Sequence, residues 1–416
     1  MTALRSLALL LLPLVTVAGA QGVTGAPDPA GAASSPEEVK VGESPLTAIE
    51  VSPFTDGTLY ILAGNTGNDN HVVWNGIIEA ARAHGGPIGI VPAATTGSAD
   101  DDIEFWDSRG GAGTAVAIPL GVNFPGSAED PAVVAQIRRC GGIFFLGGDQ
   151  NRAMSVLLRE DGTRTPAFEA IWEVYLAGGV IAGSSAGAAL MSNPMITGGT
   201  SADALLHGAG PQGVGLGRGA GFFPHGLSDQ HFLRRGRLGR LIVATHASGF
   251  RYGFGVDEGC ALVVDNAAQT ATAIGTSGTV VVDTEGMTRG DDGRIEGVRV
   301  HYIETGDMWD LTAGEVIVAS NKEETQGTNP PGPILSEDVW DDWEAWRLMT
   351  ALIDTQGATE AVGTDPRFDV RFLRDAATRG YRGAVHDAGN TRRAYTVVNM
   401  AVEITPRAAS PSGAAE

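Results

Sequence analysis

Short apolar runs alternate, through the first half of the chain, with segments in which apolar residues recur at helical spacing. Leu59–Ala63, Ile88–Val91, Ala115–Ile118, Ile143–Leu146 and Gly179–Ala182 are apolar at nearly every position. A strand with one solvated face alternates apolar with polar, so runs without alternation predict strands buried on both faces. Between them, the segment Val72–Ala83 puts Ile77, Ile78 and Ala81 on one helical face, and Asp130-Pro131 opens a helix that ends near Arg139. Further helices are predicted from about Arg152 to Leu158 and from Pro166 to Leu176. This alternation predicts an α/β fold, a doubly wound and mostly parallel sheet covered on both sides. Such sheets carry their chemistry at the carboxyl ends of the strands.

Composition narrows what that fold can do. The 416-residue chain is 43% hydrophobic and 19% charged, enough for a sizeable core, and its formal net charge is −21. So acidic a chain repels phosphate backbones and anionic lipid, which argues against nucleic acid and membrane surfaces as partners. Residues 1–20 have the parts of a signal peptide: Arg5, an apolar run from Leu7 to Val17 too short to span a bilayer, and the small residues Ala18-Gly19-Ala20. A secreted or periplasmic location is therefore expected, with no membrane attachment after cleavage. Residues 21–48, rich in Pro, Ala, Gly and Ser, read as a flexible linker, and 408–416 as a disordered tail. Export permits a Cys140–Cys260 disulfide; both cysteines adjoin apolar runs, so two inert buried thiols are an equal alternative. The glycine-rich stretch Gly208–Gly221 lacks nucleotide-binding spacing, and no His, Cys and carboxylate group has zinc spacing. No cofactor and no metal are expected.

Three segments carry candidate chemistry. The strand ending at Ala182 runs into Gly183-Ser184-Ser185-Ala186-Gly187, a G-x-S-x-G turn between strand and helix. Flanking glycines allow a tight turn that pushes Ser185 out of the sheet, and the helix start behind it offers a backbone N–H and a positive dipole end to an oxyanion. A serine needs a base, and His231 stands in a segment where Ser228 or Asp229 can cap a helix and where Arg234, Arg235, Arg237 and Arg240 follow. Clustered arginines repel unless they meet an anion, which predicts a pocket for carboxylates. An acid to orient the imidazole is available at the turn Asp257-Glu258, between two apolar strands, and Asp203 competes for the role. Gly147-Gly148-Asp149-Gln150 ends the fourth strand, where a backbone N–H and the Gln150 amide can approach a substrate.

Taken together, GGDQ at Gly147–Gln150, GSSAGA at Gly183–Ala188, DQHFxxRxRxxRL at Asp229–Leu241 and GVDEGCALVV at Gly255–Val264 resemble the cyanophycinase family of serine peptidases, which includes the aspartyl dipeptidases. The resemblance covers about residues 55–315 and implies a fold like that of class I glutamine amidotransferases, with serine in place of their cysteine. It implies an exopeptidase that cuts β-linked aspartyl-arginine units from the storage polymer cyanophycin. Ser185 would then be the nucleophile, His231 the base and Glu258 the acid, with Asp203 the fallback. Backbone N–H groups at Gly148 and Ala186 would hold the oxyanion, and Gln150, Asp229, Gln230, Arg235, Arg237 and Arg240 would line a pocket for aspartyl carboxylates. Residues 49–320 form the peptidase domain on this reading. Residues 321–407 exceed the family's core and form a small C-terminal extension whose Trp343 and Trp346, three apart, predict packing onto it. Ser184 stands where the family usually has threonine. Three readings compete: the same fold acting on other aspartyl peptides, an α/β-hydrolase esterase whose base lies late in the chain, as His386 does, and a secreted binding protein that keeps the pocket but does no chemistry. A homodimer is left open.

Overall fold

A computed structural model describes residues 55–387 and 390–407, with the side chains of 386–390 excepted. The predicted signal peptide, the linker, the tail 408–416 and the side chain of His386 lie outside the described residues.

The predicted strands appear as β1 (Thr58–Leu62), β2 (Ile88–Val91), β3 (Ala115–Ala117), β4 (Gly142–Phe145) and β5 (Val180–Ser184), side by side in the order β1-β5-β4-β2-β3 and all parallel. Helices α1 (His71–His84), α2 (Asp100–Gly110), α3 (Pro131–Ile137), α4 (Gln150–Leu157), α5 (Pro166–Leu176) and the short α6 (Ala186–Ala189) connect or follow them. Alternate side chains of β1 go to opposite cores. Tyr60 and Leu62 pack with Trp74, Ile77 and Ile78 of α1 and Trp106 of α2, whereas Leu59 and Ile61 pack with residues of α3, α4 and α5. Both faces are covered, which is why these strands are apolar throughout. Helix α2 was not predicted; its first turn, Asp100-Asp101-Asp102, is acidic, and Trp106 alone is fully buried in it.

Two hairpin strands, β6 (Met195–Gly198) and β7 (Gly215–Gly217), flank α7 (Ser201–His207) and lead to β8 (Leu227–Asp229), α8 (Leu238–Ser248), β9 (Tyr252–Val256) and β10 (Cys260–Asp265). Strand β10 extends the first sheet antiparallel to β1, and Thr270–Gly275, Met308–Asp310 and Glu315–Ile317 follow it to the edge. Five of its nine strands are thus parallel and the other four antiparallel. The protein is a mixed α/β fold.

Strands β8 and β9 belong to a second, eleven-stranded sheet. It continues antiparallel from β9 through Gly278–Asp283 and Ile295–Glu304 to the long strand Asn390–Pro406, then to Phe368–Leu373 and Glu360–Asp365. Residues after 320 are therefore strands of the same sheet as β8 and β9. Helix Glu344–Asp354 buries Leu348, Met349, Leu352 and Ile353 in that sheet's core, which also holds Phe232, Leu233 and Leu238. Trp343 and Trp346 pack edge to face at 5.9 Å against the same core. Cys140 and Cys260 are both buried free thiols.

Candidate active site

The carboxyl edge of the parallel strands gathers the candidate residues. Leu62 at the end of β1 pairs with Ser184 at the end of β5 and with Ala261 near the start of β10, so the segments beyond all three strands converge. Ser185 sits between β5 and α6 at φ 56° and ψ −113°, where a side chain is strained. The flanking glycines are needed there: a Cβ at Gly183 would lie 2.3 Å from the Gly187 carbonyl oxygen, and one at Gly187 2.4 Å from the Phe145 carbonyl oxygen. The expected dipole is weak, because α6 has only four residues. Any oxyanion donor here is a local N–H, such as that of Ala186. Gly147 packs against the nucleophile from the other side; a Cβ there would be 3.2 Å from the Ser185 Cβ, which sets the Gly147–Gly148 segment beside it.

His231 follows β8 and adopts φ 44°, also left-handed. Its Nε2 is 2.9 Å from the Ser185 Oγ and its Nδ1 2.5 Å from a carboxylate oxygen of Glu258. Glu258 sits in the crossing from β9 in the second sheet to β10 in the first, and its other oxygen accepts a hydrogen bond from the Asn65 side-chain amide at 2.8 Å. Burial would raise the Glu258 pKa, but the hydrogen bonds from Asn65 and His231 outweigh it and hold the carboxyl below its ordinary value. Burial also holds the imidazole below its ordinary pKa; Arg235 and Arg237 push the same way, against the hydrogen bond it donates to Glu258. A carboxylate accepting from Nδ1–H leaves the Nε2 lone pair of a neutral imidazole facing the serine hydroxyl.

The other acids do different work. Asp257 is fully buried and accepts the backbone N–H of Arg234 at 3.0 Å, and burial pushes its pKa up to about 6. Asp203 lies in the first turn of α7, where its backbone N–H donates to the capping Thr200 and its carboxylate accepts the Thr200 hydroxyl at 2.6 Å. Glu258 alone of the three candidates meets the imidazole.

The arginine cluster differs from the sequence reading in two ways. It is not on one helix. Arg234 and Arg235 lie in a single tight turn, Gly236 reverses the chain at φ 52°, and only Arg240 is inside α8, which begins at Leu238. Nor do all the arginines await a ligand, because the anion that Arg240 meets is the protein's own Asp229. That pair is buried and two-pronged, at 2.7 and 2.5 Å, and Arg240 also donates to the Gly199 carbonyl. Arg237 donates to the Gln230 carbonyl at 2.5 Å and, more weakly, to Asp229 at 3.4 Å; burial brings its pKa down to about 10. The Gln150 amide donates to the Ile196 carbonyl at 2.9 Å. Arg234 pairs with Asp342, while Arg235 is exposed and acts on His231 through its charge. Gln230 is buried with its side-chain carbonyl unpartnered.

Two residues were missed. A Cβ at Gly64 would lie 2.5 Å from the His231 ring, so only glycine lets the imidazole reach Ser185 past the end of β1. Its neighbour Asn65, at φ 46°, holds the acid. Their one signal was position, directly after a predicted strand at the functional edge. Among the described residues, no group of three His, Cys, Asp or Glu side chains is placed to hold a metal ion.

Serine, neutral imidazole and carboxylate in one hydrogen-bonded line, on strained turns at the edge of a parallel sheet, define a serine hydrolase. The chain order is serine, histidine, acid, which differs from the serine, acid, histidine order of α/β-hydrolases. Residues 120–272 match the family model described as Peptidase family S51. The cyanophycinases of Nostoc sp. and Trichormus variabilis are each 32% identical over 203 residues, covering 47% of this chain and 65% of theirs. That of Synechococcus elongatus is 33% identical over 198 residues, covering 45% of this chain and 58% of its own. The chain spans under two thirds of the length of these relatives. Among solved structures, a peptidase from an acI-B1 Actinobacterium is similar at a TM-score of 0.43 and 20% identity, over 61% of this chain and 96% of that one, a likeness too slight to speak for the fold. The matched segment, residues 120–272, contains both Ser185 and His231 as well as Glu258.

Proposed function

We propose that this protein is a secreted serine exopeptidase that hydrolyses β-aspartyl-arginine polymer to dipeptides, on a fold of the class I glutamine amidotransferase kind. The observation that carries the reading is the line from Ser185 through His231 to Glu258, with the charges of Arg235 and Arg237 beside it. His231 takes the Ser185 proton as Oγ attacks the amide carbonyl that joins one β-aspartyl-arginine unit to the next, and backbone N–H groups of Gly148 and Ala186 stabilise the oxyanion. His231 then protonates the leaving amine. Water, deprotonated by the same imidazole, splits the acyl-enzyme and frees Ser185. Glu258 keeps the productive tautomer and stabilises the transient imidazolium. Arg235 and Arg237 are the arginines left to receive a substrate carboxylate, since Asp229 neutralises Arg240.

The test offers purified protein three substrates: cyanophycin, an α-linked aspartyl dipeptide and a simple ester. Release of β-aspartyl-arginine from the polymer is expected. Cleavage of aspartyl dipeptides alone moves the assignment to another aspartyl peptidase of this fold, and cleavage of the ester alone rejects it.

A further inference from the structure

A cavity of about 280 Å³ opens beside the nucleophile, and none of its lining residues belongs to the arginine cluster. It lies between the ends of β4 and β5, the loop after β1, and helices α1 and α2. Trp74, Phe105, Trp106 and Phe144 wall it, and Thr66, Asp102 and Ser184 bring oxygens to it. The rings brace one another edge to face, with centroids 5.0 Å apart for Trp74 and Phe105 and 5.1 Å for Trp106 and Phe144, so the walls are rigid. Through Asn65, which holds Glu258, and Gly147, which packs on Ser185, the cavity adjoins the triad.

The charged side chain in its lining is an acceptor with no cation opposite it. The Asp102 carboxylate is half-buried and has no hydrogen-bond or ion-pair partner among the described residues; the charge acting on it is that of Asp101, a like charge. The Thr66 hydroxyl is buried and unpartnered as well. No lysine, arginine or histidine is among the lining residues. Aromatic faces with an unpaired carboxylate fit a cation on an apolar stem, because rings attract the cation and cover the stem while the carboxylate accepts its N–H groups. Phe105 already receives one guanidinium in this way, from Arg109, whose Cζ lies 3.6 Å from the ring centroid.

We propose that this cavity is a subsite for a cationic side chain of the substrate, a guanidinium by preference, with Asp102 as its counter-ion and the four rings as its walls. Several acceptors around flat walls suit a planar group with five N–H donors better than a compact ammonium. The subsite rests on the reading of Ser185 as a peptidase nucleophile, and it is on a different side chain set from the carboxylate-binding arginines.

The experiment compares β-aspartyl peptides carrying arginine, lysine or citrulline, the last a neutral mimic of arginine, on the full chain and on Asp102→Asn. For the arginine substrate, Asp102→Asn is expected to raise KM about tenfold with little change in kcat. The citrulline substrate should start with that high KM and not respond to the substitution. Binding of Nα-acetyl-argininamide to Ser185→Ala, followed by tryptophan fluorescence, reads the cavity without catalysis and should weaken about tenfold with Asp102→Asn added. Arginine and citrulline handled alike, an unchanged KM in Asp102→Asn, or no binding to Ser185→Ala would each overturn the subsite. Binding that depends on Asp102, with no peptide cleaved, would uphold the subsite and sink the peptidase reading instead.

Discussion

The two sheets differ in what they give the site. The first sheet supplies Ser185 and the Gly147–Gly148 segment, from the ends of β4 and β5, within the segment that matches the family model. The second supplies His231, into which β8 leads, and Glu258 stands where the chain crosses from β9 to β10. Neither sheet holds a complete site. The second sheet is finished by residues after 320, well beyond the matched segment, and they brace the turn that follows His231. The Trp343 N–H donates to the Leu233 carbonyl at 3.1 Å, Asp342 pairs with Arg234, and the Trp340 backbone fills the space a side chain at Gly236 would need. The catalytic line is a junction, and its geometry depends on both halves.

The largest effect should come from breaking the junction on either side. Ser185→Ala removes the first sheet's contribution and His231→Ala the second's. Each is expected to lower kcat at least about 10⁴-fold with folding intact, and the double variant to be no worse than either alone, because the groups act as one unit. Turnover of a β-aspartyl peptide beside far-ultraviolet circular dichroism checks this. Losses that multiply in the double variant would mean the two sheets act independently, and the comparison would fail.

A smaller effect tests whether the C-terminal strands are a separate body. Phe372 is fully buried in the second sheet's core, the same core that holds Phe232 and Leu233 beside His231. Phe372→Ala should cost about 3–5 kcal/mol. Activity and circular dichroism should be lost together at the lowered temperature, in one transition. Activity that outlasts a first, separate transition would show that the strands after 320 fold apart from the site.

The same contrast explains what could be read from sequence. The continuous apolar runs of β1 to β5 have one reading, buried parallel strands, and the strained serine turn followed from glycines that leave no alternative. The second sheet was missed although its signal was present: in Phe368–Leu373 the buried residues Phe368, Val370 and Phe372 alternate with Asp369 and Arg371. What no local pattern carries is which strands meet. Two strands were visible around Asp257 and Glu258, but not that they enter different sheets, and this is what aims Glu258 at His231. The arginines misled for a related reason. Their spacing says nothing of Asp229 closing back on Arg240, nor of the left-handed turn at Gly236 that keeps them off one helix.

The smallest expected effect, that of Asp257→Asn, separates the two neighbours at that crossing. Asp257 and Glu258 are adjacent acids, yet one meets a backbone N–H and the other the imidazole. The Asp257 carboxyl has a folded pKa of about 6 against 3.8 in a model chain, because it is buried, and one of its oxygens has no partner. Below pH 3.8 both folded and unfolded chains hold the proton, and the group is neutral to stability. Between 3.8 and 6 the unfolded chain ionises first, so stability falls as pH rises; above 6 the loss is complete, at about 3 kcal/mol. Asp257→Asn keeps an oxygen to accept the Arg234 N–H and removes the ionisation. It should leave stability near the parent's at pH 4 and raise it by about 2–3 kcal/mol at pH 8, where kcat stays within a few-fold of the parent's. Glu258→Gln should do the reverse, lowering kcat about 10³- to 10⁴-fold through the wrong imidazole tautomer with little change in stability. Urea unfolding at pH 4, 6 and 8 beside kcat for both variants reads the distinction. A collapse of turnover in Asp257→Asn would reassign the acid and move the second sheet's role from holding the base to orienting it.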